Sequence, residues 1–429
     1  MIKIKFLDVI ILVLIAESRL NLDLQFEYFN DGTAFHEIDA LSINPDYLTD
    51  FSIYEKQQYK DNQYKFRCLI VDSSSLPKDR LMELLRFRRK VYIHKDQAEN
   101  YHQYLKDNLA YILKHDEIDI GKKTDMLIHL SRDVMKESFE ANFGNARDFK
   151  KLLDNAQNLI SQAIEFISDM NSLRGIANLI GHDYDTHTHS IKVGWLMAAF
   201  INANQDLFRF DGPHELKQLL VQAAVAGLLH DIGKIKIPPN ILNKNGKLDN
   251  LEYLIIQSHT AYSASLLFET GLSKQTMQSI LYHHENEDGS GYPIGLAGSQ
   301  IPLVAKISHI ADVFDALTSR RHYKEAKSPF EALKIMIGDN PYLDTLKKFE
   351  KEVAENVKAP VTTVVRDNYD LKLRRLRERE MMEEEASKRV EARMKLRDEG
   401  MSHCFDKDLL KRFILTINQS KSFELSALL

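Results

Sequence analysis

His230 and Asp231 directly follow the apolar run AAVAGLL, and two ionisable groups at the end of a buried helix need partners or a cation. Ten of the sixteen histidines fall between His182 and His322, several beside acids or each other. His189 lies four residues after Asp185 at the expected start of a helix, a spacing that sets both side chains on one side. His259 opens a further helical pattern. His283 and His284 follow an apolar segment and precede Glu285, while Asp312 interrupts the apolar stretch KISHIADVFDAL. Imidazole is a borderline ligand and carboxylate a hard one. Together they suit Fe, Mn, Zn or Co better than an all-oxygen magnesium cage. Two or three such ions can activate water and draw charge off a phosphoryl group, which a phosphodiester requires because it repels an anionic nucleophile.

Each element alone has a plainer explanation. Asp185 suits a helix cap, His230 with Asp231 a polar helix end, and His259 a satisfied core or surface histidine. Taken jointly, metal-binding residue types at the ends of, or inside, otherwise buried helices argue for one cluster. Lys234 follows within a turn of His230 and Asp231, where its ammonium can reach a nonbridging phosphate oxygen; the alternative is a solvent-facing lysine. DGSGYP at 288–293 either lets a ligand approach main-chain N–H groups or forms a plain surface turn. It is not a P-loop, because no lysine and hydroxyl pair follows a glycine run into a helix.

The elements that must position these residues are helical. Apolar residues recur at three- and four-residue spacing over 101–115, 123–142, 148–170 and 189–203, and again over 219–281. IPPN at 237–240 and NKNGKLD at 243–249 break that last stretch into a candidate rim. Residues 1–93 are strand-like instead: IKIKFLDVIILVLI, LDLQFEYF, YKFRCLIVD and VYIH, with KDRLMELLRFRR as a helix between the last two. The expected class is α+β: a small mixed α/β N-terminal domain at 1–96, a helical linker at 97–170 and an all-helical domain at 171–429. The first has no catalytic cluster and suits a sensory, regulatory or dimerising role. Residues 371–399 hold ten Lys or Arg and eight Asp or Glu, the pattern of a solvated, salt-bridged helix or hairpin, or of an interaction arm.

Composition narrows the class. With 44% hydrophobic and 28% charged residues in a chain of 429, a sizeable core is available. A formal charge of -5 argues against a nucleic-acid polymer as partner, so a phosphate site must be built locally. Cys68 and Cys404 alone make neither a disulfide framework nor a cysteine zinc site, and a reducing, cytoplasmic setting is expected. The apolar run 9–16 is far shorter than the roughly 20 residues that cross a bilayer, so no membrane insertion is expected there.

HDIGK (230–234), HHENEDGSGYP (283–293) and ADVFDALTSRRHY (311–323) resemble, in order, the signature of the HD-GYP family. The resemblance covers about 180–337 and implies an all-helical domain of the HD superfamily. It implies hydrolysis of cyclic di-GMP to pGpG or onward to GMP by a bi- or trinuclear metal centre, with metal-bound hydroxide as nucleophile. His189, His230, Asp231, His259, His283, His284 and Asp312 become the expected ligands of two or three divalent ions, Fe or Mn favoured. Asp231 would bridge ions, and Asp185 would serve a third. Lys234 would hold the scissile phosphate, Gly291, Tyr292 and Pro293 would shape the pocket wall, and Lys306 and Arg321 would contact phosphate or base.

Three departures from the family pattern stand out. Asp185 occupies a glutamate position, Ser263 a glycine position, and residues 338–398 separate the closing segment MSHCFDKDLLKRFI (401–414) from the preceding helix. That insertion suits a dimer surface, a cap over the site or a regulatory protein partner. Rival functions are a non-catalytic cyclic-dinucleotide receptor and a hydrolase of cyclic GMP-AMP.

Overall fold

The computed structural model describes residues 27–30, 32–47, 49–60, 63–70, 90–140, 146–169, 186–244, 246–320, 325–338 and 400–419. The strands expected at 2–15, the helix at 78–89 and the charged stretch 371–399 lie outside the described residues, as do Asp185 and Arg321. The chain is α+β and divides into two compact units, Met1–Leu127 and Ile128–Leu429.

The first unit is built on a five-stranded sheet in the order β1-β4-β3-β5-β2. Its strands are β1 (Glu27–Asn30), β2 (Phe35–Asp39), β3 (Ile53–Lys60), β4 (Gln63–Ile70) and β5 (Lys90–His94), and every pairing is antiparallel. The two-residue period of a strand sends neighbours to opposite faces. Ile53 joins Ile70, Val91, Ile93, Phe51 and Tyr104 in one core, while Tyr54 joins Phe35, Phe66 and Cys68 in another. Two helices follow, α1 (Ala98–Asp107) and α2 (Leu109–Lys114). The single helix expected over 101–115 is broken at Asn108, whose buried amide donates to the Tyr104 carbonyl and accepts from the Asn44 side chain. An asparagine that satisfies backbone groups in this way competes with helix continuation.

The second unit is helical. α3 (Ile120–Glu140) carries the division between units, and α4 (Ala146–Ile167) follows. Then come α5 (Thr186–Ala203), α6 (Gly212–Leu229), α7 (Pro239–Leu242), α8 (Asn250–Gln257), α9 (His259–Leu267) and α10 (Lys274–Tyr282). α11 (Leu303–Thr318), α12 (Pro329–Ile337) and α13 (Lys407–Gln419) complete it. Residues 188–201 of α5 are buried on every side, the signature of a central helix. Among the described residues, no helix is long and apolar enough to cross a membrane.

α5 and α6 approach so closely that a Cβ on Gly227 would lie 2.4 Å from Gly194 Cα, and one on Gly194 would lie 2.4 Å from the Ala224 carbonyl oxygen. Neither contact can be relieved by a side-chain rotation. Gly227→Ala should therefore cost about 1–3 kcal/mol of stability. A drop in thermal midpoint is expected, and an unchanged melt would contradict this packing.

The closing segment belongs to the same helical core. α12 stops at Gly338, in the left-handed region at φ 92°, and the chain returns beside it: Met401 N–H donates to the Ile335 carbonyl at 3.1 Å. Phe413 of α13 then packs against Phe314 and Phe200, with ring centroids 5.4 and 6.2 Å away.

Candidate metal centre

Four helices end or begin at one point. His230 caps the C-terminus of α6, His283 caps α10, and His259 follows Ser258, the cap of α8. The last carbonyls of a helix have no partner within it. The three imidazoles use this in the same way. His230 Nδ1 lies 2.7 Å from the Gly227 carbonyl, His259 Nδ1 2.7 Å from that of Ile256, and His283 Nδ1 2.7 Å from that of Ile280. A carbonyl only accepts, so each Nδ1 must donate. In a neutral ring, Nε2 then carries a lone pair and no proton. His189, on α5, reaches the same state by another route: its Nδ1 lies 2.7 Å from Asp315 Oδ2.

The freed Nε2 atoms converge on two carboxylates. His189 Nε2 is 3.1 Å from Asp312 Oδ1 and 3.8 Å from Asp231 Oδ2, and His230 Nε2 is 3.3 Å from Asp231 Oδ2. His259 Nε2 is 3.2 Å from Asp231 Oδ1 and 3.4 Å from His283 Nε2. His284 sits with Nδ1 3.7 Å from Asp312 Oδ2. Acceptors here face acceptors. His230 Nε2 and Asp231 Oδ1 are buried without hydrogen-bond geometry to any described residue. Doubly protonated rings would resolve the conflict, but burial first, then repulsion by neighbouring histidines, pushes the proton affinity of His283 well below its ordinary value. Burial does the same to His284. A divalent cation resolves it directly.

The donors are close enough for that. Asp231, His259, His283 and His284 each offer an atom within 4.8 Å of the others, as do His189, His230 and Asp231, and His230, His283 and Asp312. Asp231 appears in two of these sets. Burial opposes its charge, yet His230 and Lys234 outweigh burial and hold its carboxyl well below the usual range. Asp312 behaves likewise, with His189 as the main opposing partner. Both carboxylates are thus charged, as ligands must be.

Around this cluster the HDIGK turn is fixed from outside. Ser263, buried one turn into α9, donates from Oγ to the His230 carbonyl and accepts from Gly233 N–H, both at 2.8 Å. The departure from glycine at this position thus supplies two hydrogen bonds that sequence alone did not show. Lys234 lies in the 3-10 turn Ile232–Lys236 and makes an ion pair with Asp231. Its side chain is 21% exposed, so its ammonium stands between the centre and solvent.

The wall after His284 is equally constrained. Tyr292 N–H donates to the His284 carbonyl at 3.1 Å, and a Cβ on Gly291 would sit 2.5 Å from that oxygen and 2.3 Å from Asn286 N. Only glycine permits this approach. The Tyr292 ring lies 4.8 Å from the His284 ring. Glu285, 2% exposed, accepts from the N–H groups of Ile294, Gly295 and Leu296 and so ties the GYP segment to the histidine pair. Its position directly after two histidines was the only sequence signal for that role. Lys306 is engaged by Glu287 at 2.8 Å and Asp406 at 3.2 Å.

Acid should dismantle the centre. His283 and His284 have proton affinities depressed below 6.5 in the folded chain. Above that pH neither state binds the proton. As pH falls below it the unfolded chain protonates and the folded chain does not, costing about 1.4 kcal/mol per pH unit for each proton. The metal-free protein should therefore melt at lower temperature as pH drops below 6.5, and a flat profile from pH 7 to 5 would contradict these buried, neutral rings.

Residues 211–345 match the model of the HD domain. A cyclic di-GMP phosphodiesterase of Pseudomonas aeruginosa is 38% identical over 175 residues, 41% of this chain and 40% of that protein. A cyclic di-GMP phosphodiesterase of Thermotoga maritima is 35% identical over 181 residues, 40% of this chain and 47% of that one. A 3'3'-cGAMP-specific phosphodiesterase of Vibrio cholerae is 43% identical over 111 residues, 26% of this chain and 24% of that one. The matched stretches thus span less than half of each relative. The helical unit thus carries a stretch that matches the HD domain, and the HDIGK and GYP motifs both lie inside it.

Proposed function

We propose that the helical unit hydrolyses the phosphodiester bonds of cyclic di-GMP with the help of two or three bound divalent ions. The observation that carries this reading is the convergence of imidazole Nε2 atoms on Asp231 and Asp312, with the Nδ1 atom of each ring already engaged by a carbonyl or carboxylate oxygen. His189, His230, Asp231, His259, His283, His284 and Asp312 would hold the ions, with Asp231, His230 and His283 each common to two donor sets. Mixed imidazole and carboxylate donors suit Fe, Mn, Zn or Co, and the HD-GYP resemblance favours Fe or Mn among them. When bound, such ions supply Lewis-acid charge and lower the pKa of water.

The chain supplies the rest. Lys234 exchanges its contact with Asp231 for a nonbridging phosphate oxygen and offsets charge that grows during displacement. Gly291, Tyr292 and Pro293 form the wall against which the dinucleotide lies, anchored by Glu285. Lys306, already paired with Glu287 and Asp406, holds that wall's flank rather than phosphate. Asp185 is assigned to the third ion and Arg321 to a substrate phosphate or base. The product is pGpG or, with a second cleavage, GMP.

A second substrate, 3'3'-cGAMP, differs from cyclic di-GMP in one base and is favoured by the name of the Vibrio relative. Incubating anaerobically purified protein, loaded with Fe(II) or Mn(II), with each dinucleotide separates the readings. Formation of pGpG from cyclic di-GMP is expected, at a higher kcat/KM than cGAMP cleavage. Binding of both dinucleotides without cleavage of either would favour a receptor.

A further inference from the structure

His189 and Lys192 lie one turn apart on α5, and Asp312 and Asp315 lie one turn apart on α11. The two helices therefore meet in two polar rungs. The first is His189 Nε2 against Asp312 at 3.1 Å, inside the metal centre. The second is Lys192 Nζ against Asp315 Oδ1 at 2.6 Å, outside it. A diagonal joins them, His189 Nδ1 to Asp315 Oδ2 at 2.7 Å. Ser319 closes the group: its Oγ accepts from Lys192 at 2.7 Å and donates to Asp315 at 3.2 Å. His189, Lys192, Asp315 and Ser319 are each at most 3% exposed.

A buried ion pair is seldom kept for stability, since apolar residues of similar volume do as well or better. This pair sits under a ligand, and each atom has a task. Asp315 has two oxygens, one for His189 Nδ1–H and one for Lys192. The ammonium keeps the carboxylate charged and shares its basicity, so the proton stays on Nδ1 and Nε2 stays open.

We propose that Asp315, balanced by Lys192 and oriented by Ser319, is a positioning residue that holds His189 in the Nδ1–H tautomer with Nε2 turned toward a bound divalent ion. The proposal rests on the metal-centre reading above. It also makes a chemical distinction. An asparagine at 315 can turn its amide N–H toward Nδ1 and its oxygen toward Lys192, which stabilises the opposite tautomer and protonates the ligating nitrogen.

The test uses the full-length protein, with Asp315→Asn and the double variant Asp315→Asn/Lys192→Met, which removes both buried charges. Mn(II) affinity is measured by chelator competition, and the His189 tautomer by 15N NMR of the metal-free protein, assigned against His189→Asn. One Mn(II) equivalent should bind about 10–100-fold more weakly in both variants, and in Asp315→Asn, where Lys192 takes the amide oxygen, the His189 signals should change from the Nδ1–H to the Nε2–H pattern. The double variant should keep the wild-type melting midpoint without metal, which excludes general unfolding as the cause. Wild-type Mn(II) affinity in the folded double variant, or an unchanged His189 tautomer in folded Asp315→Asn, would overturn the proposal. A wild-type protein that takes up no divalent metal would instead sink the metal-centre reading, and the proposal with it.

Discussion

Asp231→Asn is expected to strip the centre of metal and to reduce dinucleotide hydrolysis by roughly a thousandfold or more, because ions that stabilise phosphoryl charge contribute several kcal/mol. The substitution keeps the side chain's shape and removes only its charge. Both of its oxygens are in use: Oδ2 faces His189 and His230, and Oδ1 faces His259. An amide nitrogen placed among lone pairs satisfies some of them with its own protons, which leaves nothing for a cation to do. The folded, metal-free protein should be no less stable than wild type. Elemental analysis and a turnover assay on one sample check this, and retained metal with retained turnover would remove Asp231 from the centre.

Lys234→Ala should lower kcat by about a hundredfold, the usual cost of losing one transition-state donor, while leaving metal content close to wild type. Lys234 is partly exposed and pairs with Asp231, and the histidine and carboxylate donors of the centre are all left in place by its removal. If the lysine serves mainly the transition state, kcat and kcat/KM fall together; if it serves ground-state binding, KM rises alone. An unchanged rate would exclude it from the chemistry.

The candidate ligands were legible because their types conflict with their surroundings. An acid at position 312 in an apolar helix and adjacent histidines at 283 and 284 ask for a cation by residue type alone. Helices α3, α4 and α5 were legible from periodicity, to within a few residues at each end. Strand β3 was not, because IYEKQQYK is mostly polar and its place between β4 and β5 comes from pairing rather than propensity. The break at Asn108 was hidden for a related reason: its cause is a hydrogen bond to Asn44, 64 residues away.

Within the site, sequence named the candidate ligands but not what aims them. The shared use of helix-end carbonyls by His230, His259 and His283 depends on where each helix stops, which pattern alone fixes only loosely. Ser263 reads as a neutral replacement in sequence and supplies two hydrogen bonds to the HDIGK turn. Lys306 reads as a phosphate contact, and its ion pairs with Glu287 and with Asp406, far along the chain, were not legible. Asp185 and Arg321 lie outside the described residues, so their roles rest on the resemblance alone.

Metal dependence is the central claim, and one titration tests it most directly. Anaerobically prepared metal-free protein is titrated with Fe(II) or Mn(II), with bound metal and cyclic di-GMP hydrolysis followed on the same samples. Hydrolysis should be absent at zero metal and rise with occupancy until at least two ions are bound per chain. Hydrolysis by the metal-free protein, or a fully loaded protein that leaves cyclic di-GMP intact, would contradict it.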